Sequence, residues 1–167
     1  MLGFTLPAAG EYGAGLVFLP VEPQQRLACE GIVERIIREE GLDLLGWRDL
    51  PVDIEAIGRV ARASQPYIEQ VFVRRAKGMD QDTLERKLYV IRKRAEKEIH
   101  ESEEIKDRSF FSVPSLSSRT IIYKGLLLSS QISTFYGDLA DPECVSALCI
   151  FVVDFKFAQA EVGLGPA

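Results

Sequence analysis

The apolar positions change period several times along the chain, and each change marks an element. Residues 14–20 form a short apolar run closed by Pro20, which predicts a buried strand. The next stretch, 21–41, places Cys29, Ile32, Val33, Ile36 and Ile37 at three-to-four spacing and so predicts a helix with one packed face. Pro23 suits its first turn, where the missing N–H costs nothing, and Gly41 suits its stop. Residues 42–53 predict a strand broken near Pro51, and 67–75 a second strand rich in β-formers between Pro66 and Gly78. The intervening 54–66 fits neither period.

The clearest helix begins at Asp80, a suitable N-cap, and runs to about Ser102, with Leu84, Leu88, Ile91, Ala95 and Ile99 on one stripe. Residues 98–109 are charged and predict a weakly ordered connection. Beyond it, Phe-Phe-Ser-Val-Pro-Ser-Leu (110–116) and Thr-Ile-Ile-Tyr-Lys-Gly-Leu-Leu-Leu (120–128) predict adjacent strands. A short helix capped by Ser129 or Ser130 and a final strand run over 144–157 complete the pattern. With no repeats and no Pro/Gly-rich linker, one domain of mixed helix and strand, or a piece of one, is expected.

Composition narrows the class. A chain of 167 residues is long enough to bury roughly two-thirds of its unfolded surface. With 47% hydrophobic and 27% charged residues it resembles soluble proteins, and no apolar run is long enough to span a membrane. A net charge of −5 argues against broad nucleic-acid affinity, which needs clustered Lys and Arg. The first residues lack a basic segment before an apolar one, so no signal peptide is read there and a cytoplasmic location is expected. Three cysteines, Cys29, Cys144 and Cys149, suit reduced thiols better than a disulfide framework, and no paired ligand spacing points to zinc.

Candidate chemistry is sparse. His100, the one histidine, sits beside Glu98 and Glu101 and reads as a solvated helix-end residue rather than a base. Gly10, Gly13 and Gly15 precede a strand-like run, whereas a phosphate-cradling turn needs a helix after its glycines. The alternating charges of 85–104 read as an ion-paired, solvated helix face. Ser115, Ser117, Ser118 and Arg119 lie before a strand, where hydroxyls commonly satisfy turn backbone, so this stretch reads as scaffold. From the residues themselves no catalytic, cofactor-binding or metal-binding residue is assigned.

Four strings carry a resemblance: Leu-Gly-Trp-Arg-Asp-Leu-Pro-Val-Asp (45–53), Ala-Arg-Ala-Ser-Gln-Pro-Tyr-Ile-Glu-Gln-Val-Phe-Val (61–73), Leu-Glu-Arg-Lys-Leu-Tyr-Val-Ile-Arg-Lys-Arg-Ala-Glu-Lys (84–97) and Ser-Leu-Ser-Ser-Arg-Thr-Ile-Ile-Tyr-Lys-Gly (115–125). In collinear order from about Leu2 to Leu148 they resemble the interior of the N-terminal class-II glutamine amidotransferase domain of the glutamate synthase large subunit. The resemblance implies an α+β fold, part of the N-terminal-nucleophile hydrolase αββα sandwich. It implies a chemistry in which an N-terminal cysteine attacks the glutamine side-chain amide, its own α-amine acts as base, and ammonia is released for glutamate synthesis from 2-oxoglutarate. FMN and an iron–sulfur cluster are implied for the full-length family member, and none for this chain.

The family's nucleophilic cysteine, its His-Arg-Gly-Ala segment and its Gly-Asp-Gly-Ala-Gly segment precede the matching region. The resemblance therefore implies a truncated fragment, inactive alone, and Cys29 within the first helix is no substitute. Downstream the family continues from Val-Ser-Ala-Leu into a segment whose arginine is associated with the glutamine carboxylate, where this chain reads Cys149-Ile150-Phe151. The family's later Asn-Gly oxyanion pair and substrate-binding aspartate have no counterpart here. Read one nucleotide out of frame, Cys149-Ile150 can encode His, Phe151-Val152 Arg, and Ala158-Gln159-Ala160 Pro-Ser, at the family's spacing. The expected division is 1–148, partial amidotransferase domain, and 149–167, divergent tail produced by a frameshift. The alternative function is a non-catalytic interaction module that complements separately encoded pieces, with a protein partner or the missing halves of the domain in place of glutamine.

Overall fold

The computed structural model of the chain describes residues 3–146, 149–154 and 157–163. Three antiparallel strands form its first sheet: β3 (Tyr67–Arg74) lies between β1 (Tyr12–Leu19) and β2 (Asp43–Asp49). Both faces of this sheet are covered, which is why β1 and β3 read as continuous apolar runs rather than alternating ones. Val17, Leu19, Val71 and Val73 point into one apolar cluster, while Leu16 and Ile68 point into another.

Helices α1 (Pro23–Glu39) and α3 (Gln81–Glu101) cover the first face. The α1 boundaries follow the sequence signals. Glu22 accepts from the N–H groups of Gln24 and Gln25, Pro23 occupies the first turn, and Gly41 turns the chain away at φ 75°. Asp80 caps α3 by accepting from the Thr83 N–H at 2.9 Å. The whole predicted stripe, Leu84, Leu88, Ile91, Ala95 and Ile99, is buried. Burying each large aliphatic stabilises by about 1.5–3 kcal/mol, and Leu88→Ala would leave a cavity costing about 2–5 kcal/mol. Between them the helices are laced by Arg35 to Glu98, Arg94 to Glu39 and Glu40, and Lys87 to the Glu40 carbonyl. The charged face of α3 is thus partly a helix-to-helix seam.

The second sheet, in the order β4 (Thr120–Gly125), β6 (Phe157–Gly163), β5 (Cys149–Asp154), is also antiparallel. Ile121 and Tyr123 of β4 meet Leu16 and Ile68 across the interlayer space, joined by Ile132 and Phe135 of the short helix α4 (Ile132–Phe135). The short helix α2 (Arg59–Ala63) and a 3₁₀ turn, Ile54–Ala56, occupy the stretch that fitted neither period. The result is mixed helix and sheet, in the order helices, first sheet, second sheet.

Four sequence expectations differ from the structure. Residues 110–116 form no strand. They run along the free edge of β1, bonded to it at Phe18/Ser112 (2.8 and 3.1 Å) and Ala14/Ser117 (2.9 and 3.1 Å). Pro114 has no N–H to continue a ladder. The two bonded pairs span five steps on this segment against four on β1, so one residue bulges. Gly15 permits the approach, since a Cβ there would lie 2.0 Å from the Ser115 carbonyl oxygen. Second, Glu98–Glu101 belong to α3, and the connection after it buries Ile105. Third, α4 carries no hydroxyl cap; the Leu128 N–H donates to Gln131 Oε1 at 2.8 Å. Fourth, the final run is two paired strands, β5 and β6, and Cys144–Ser146 lie outside them. Residues 147, 148, 155 and 156 of that run lie outside the described residues.

Candidate functional site

The pairing of β2 with β3 sets Arg48 opposite Gln70 and Asp49 opposite Glu69. Because side chains alternate along a strand, one pair enters the space between the sheets and the other turns toward α1. Gln70 and Glu69 are 3% and 8% exposed, so each must find partners inside the protein.

Between the sheets the partners are complete. Arg48 Nη1 donates to Gln70 Oε1 and to Asp138 Oδ2, each at 2.6 Å, and Nη2 donates to Asp138 Oδ1 at 2.7 Å. The Tyr123 hydroxyl donates to Asp138 Oδ2 at 3.3 Å and accepts from Gln70 Nε2 at 3.4 Å. Asp138 is positioned by the 3₁₀ turn Gly137–Ala140 that follows α4. That turn is anchored by fully buried Tyr136, whose hydroxyl donates to the Lys124 carbonyl at 2.7 Å. These groups line a cavity of about 320 Å³ together with Tyr12, Phe72 and Cys144.

The electrostatics favour a fixed brace over a reactive centre. The bidentate contact with Asp138 holds the Arg48 guanidinium further above its ordinary value, so it stays charged and committed. Burial, then the Asp138 charge, pushes the Tyr123 hydroxyl far up, which removes it as a base near neutral pH. A free cation for a substrate carboxylate, or an activated nucleophile beside a base, is not formed by this set.

The residues singled out from sequence lie elsewhere. His100 Nε2 contacts the Phe111 carbonyl at 3.0 Å, with its ring edge-on to Phe111. Cys29 is sealed beneath α1, and burial followed by the Glu30 charge pushes its thiol up to about 11. Cys144 lines the cavity and His100 does not, and the side chain of Cys149 lies outside those described. Gly13 and Gly15 sit inside β1, and Gly10 in the turn before it at φ 82°.

The hydroxyl stretch is tied into the fold by its own hydrogen bonds. Ser115 Oγ accepts from the Ile122 N–H at 3.0 Å, and Ser117 Oγ accepts from the Arg119 N–H at 3.0 Å and donates to Glu85 at 2.9 Å. Gln81 Nε2 donates to Ser118 Oγ at 3.1 Å, and Arg119 pairs with Asp82. Among the described residues, no group of three or more His, Cys, Asp or Glu is placed to hold a metal ion. Sequence reasoning missed Arg48 and Asp138; the available signal was Glu69-Gln70 inside an apolar strand, which demanded partners without naming them.

Comparison with known proteins follows the same lines. The family model for class-II glutamine amidotransferases matches residues 1–158. The glutamate synthase [NADPH] large chain of Bacillus subtilis is 41% identical over 147 residues, which are 87% of this chain and 9% of that protein. The corresponding large chain of Azospirillum brasilense is 42% identical over 138 residues, 82% of this chain and 9% of the relative. The chloroplastic ferredoxin-dependent glutamate synthase of Oryza sativa subsp. japonica is 39% identical over 139 residues, 83% of this chain and 8% of the relative. The chain thus spans about a tenth of the length of these relatives.

Proposed function

Since the chain belongs to the class-II glutamine amidotransferases, we propose that its residues form the structural interior of a glutaminase domain of the glutamate synthase kind. In this reading glutamine is the substrate of the assembled domain. A cysteine nucleophile outside these residues attacks the side-chain amide carbonyl, and ammonia leaves for glutamate synthesis from 2-oxoglutarate. The helix, sheet, sheet order supports an N-terminal-nucleophile hydrolase sandwich. FMN and an iron–sulfur cluster belong to other parts of such an enzyme. A cytoplasmic location goes with the reading, and no helix among the described residues is long and apolar enough to cross a membrane. The division at about Leu148, with a frameshifted tail beyond it, is part of the same proposal. The nucleotide sequence tests it, and an alternative frame without a family-like continuation would overturn it.

The observation that carries the proposal is the closed Arg48–Asp138–Tyr123–Gln70 network. It braces the two sheets and leaves no side chain of the set available for catalysis. The test is ammonia release from L-glutamine by the purified 167-residue chain. Release no faster than buffer is expected. Turnover that disappears in Cys144→Ser would instead place a nucleophile in this cavity and overturn the proposal.

A second reading, a non-catalytic module that complements separately encoded pieces, is favoured by one surface. Val60, Leu126 and Leu128 are exposed together beside an apolar cavity of about 370 Å³ that includes Phe18, Phe110 and Phe135. A stable complex on co-expression with the remaining pieces of the domain would support it, and separate elution would overturn it.

A further inference from the structure

On the α1 face of the first sheet, four carboxyl groups surround one cation. Glu30 and Glu34 descend from α1, Asp49 from β2 and Glu69 from β3, with Arg26 of α1 and the Tyr67 hydroxyl as the other ionisable groups facing them. Three of the carboxylates have donors. Asp49 accepts from the Tyr67 hydroxyl at 2.7 Å, Glu34 accepts from Trp47 Nε1 at 3.0 Å, and Glu30 lies 3.8 Å from Arg26 Nε. Arg26 is further occupied by the Tyr67 ring, 3.8 Å beneath its guanidinium carbon.

Glu69 has no donor. It is 8% exposed, and its Oε2 is buried without a hydrogen-bond partner. The groups that act on it are carboxyls, Asp49 directly across the β2–β3 pair and Glu30 on α1. Neighbouring carboxylates repel, and a buried ionised carboxylate oxygen without a donor is costly. One proton resolves both problems, because a protonated carboxyl both donates and loses its charge.

We propose that Glu69 carries a proton in the native state and shares it with Glu30 and Asp49, so that a carboxyl–carboxylate hydrogen bond clamps α1 to the first sheet and loosens as pH rises. Burial first, then the Glu30 charge and the Asp49 contact, pushes the Glu69 carboxyl up to about 8. The folded value lies above the unfolded one, near 4.3. The contribution to stability is therefore complete below the unfolded value, declines as pH rises and is gone above about 8. Inside that window the unfolding equilibrium constant of the chain rises about tenfold per pH unit from this group.

Two measurements on the 167-residue chain test the clamp. Carboxyl-carbon NMR titration of Glu69 should show a midpoint near 8; a midpoint in the ordinary glutamate range overturns the proposal. Denaturant unfolding from pH 5 to 8.5 compares the native chain with Glu69→Gln, which keeps the shape and a permanent donor. The native chain should lose stability with rising pH, while the slope due to this group vanishes in the variant. Parallel pH profiles overturn the proposal, and the titration decides alone should the variant fail to fold.

Discussion

Glu69 and Gln70 are neighbours on one strand, equally removed from water, and they meet opposite surroundings. Gln70 looks between the sheets, where Arg48 and Asp138 supply charge of both signs and Tyr123 closes the remaining hydrogen bond. Glu69 looks toward α1, where the nearest groups are carboxyls. Burial alone therefore does not decide whether a polar residue stabilises; the donor inventory around it does. One side of β3 is complete while the Arg48 guanidinium and the Asp138 carboxylate both keep their charges. The other is complete only while it holds a proton.

The largest break in this contrast should come from Asp138→Ala, which strands Arg48 in a half-buried position. Removing one partner of such a pair costs about 3 kcal/mol, or roughly 6–12 °C in melting temperature for a chain of this size. The loss should be the same at pH 5 and pH 8.5, since Arg48 keeps its charge throughout; calorimetry at the two values checks this. A loss confined to one end of the range would show that the inter-sheet network also depends on a titrating proton.

A smaller change is expected from Asp49→Asn on the opposite face. The amide removes a negative charge beside Glu69 and offers a donor, so Glu69 should release its proton more easily, moving its midpoint down by about one unit. The fall in stability should then level off at lower pH than in the native chain, and its total should be smaller. An unmoved midpoint would mean that Glu30 alone supports the shared proton.

What the sequence reveals divides along the same lines. Helices α1 and α3 were legible because periodicity, Pro23, Gly41 and Asp80 all act within a few residues of the elements they bound. The 110–116 segment was misread because apolar content suggested a strand, while the decisive features, Pro114 and the approach of Ser115 to Gly15, depend on a chain segment nearly a hundred residues away. The site was the least legible part. Glu69-Gln70 within an apolar run signalled buried polar groups, but Asp138 reaches Arg48 across 90 positions and Glu30 reaches Glu69 from another layer. Only the resemblance to the amidotransferases carried function, since the side chains that meet between the sheets and beneath α1 come together only in the fold.

The most direct test of that central claim is calorimetric titration of the 167-residue chain with L-glutamine. With Arg48 already held by Asp138, no saturable heat of binding is predicted. Saturable binding that is lost in Arg48→Met would contradict the account, because it would make the brace a substrate site.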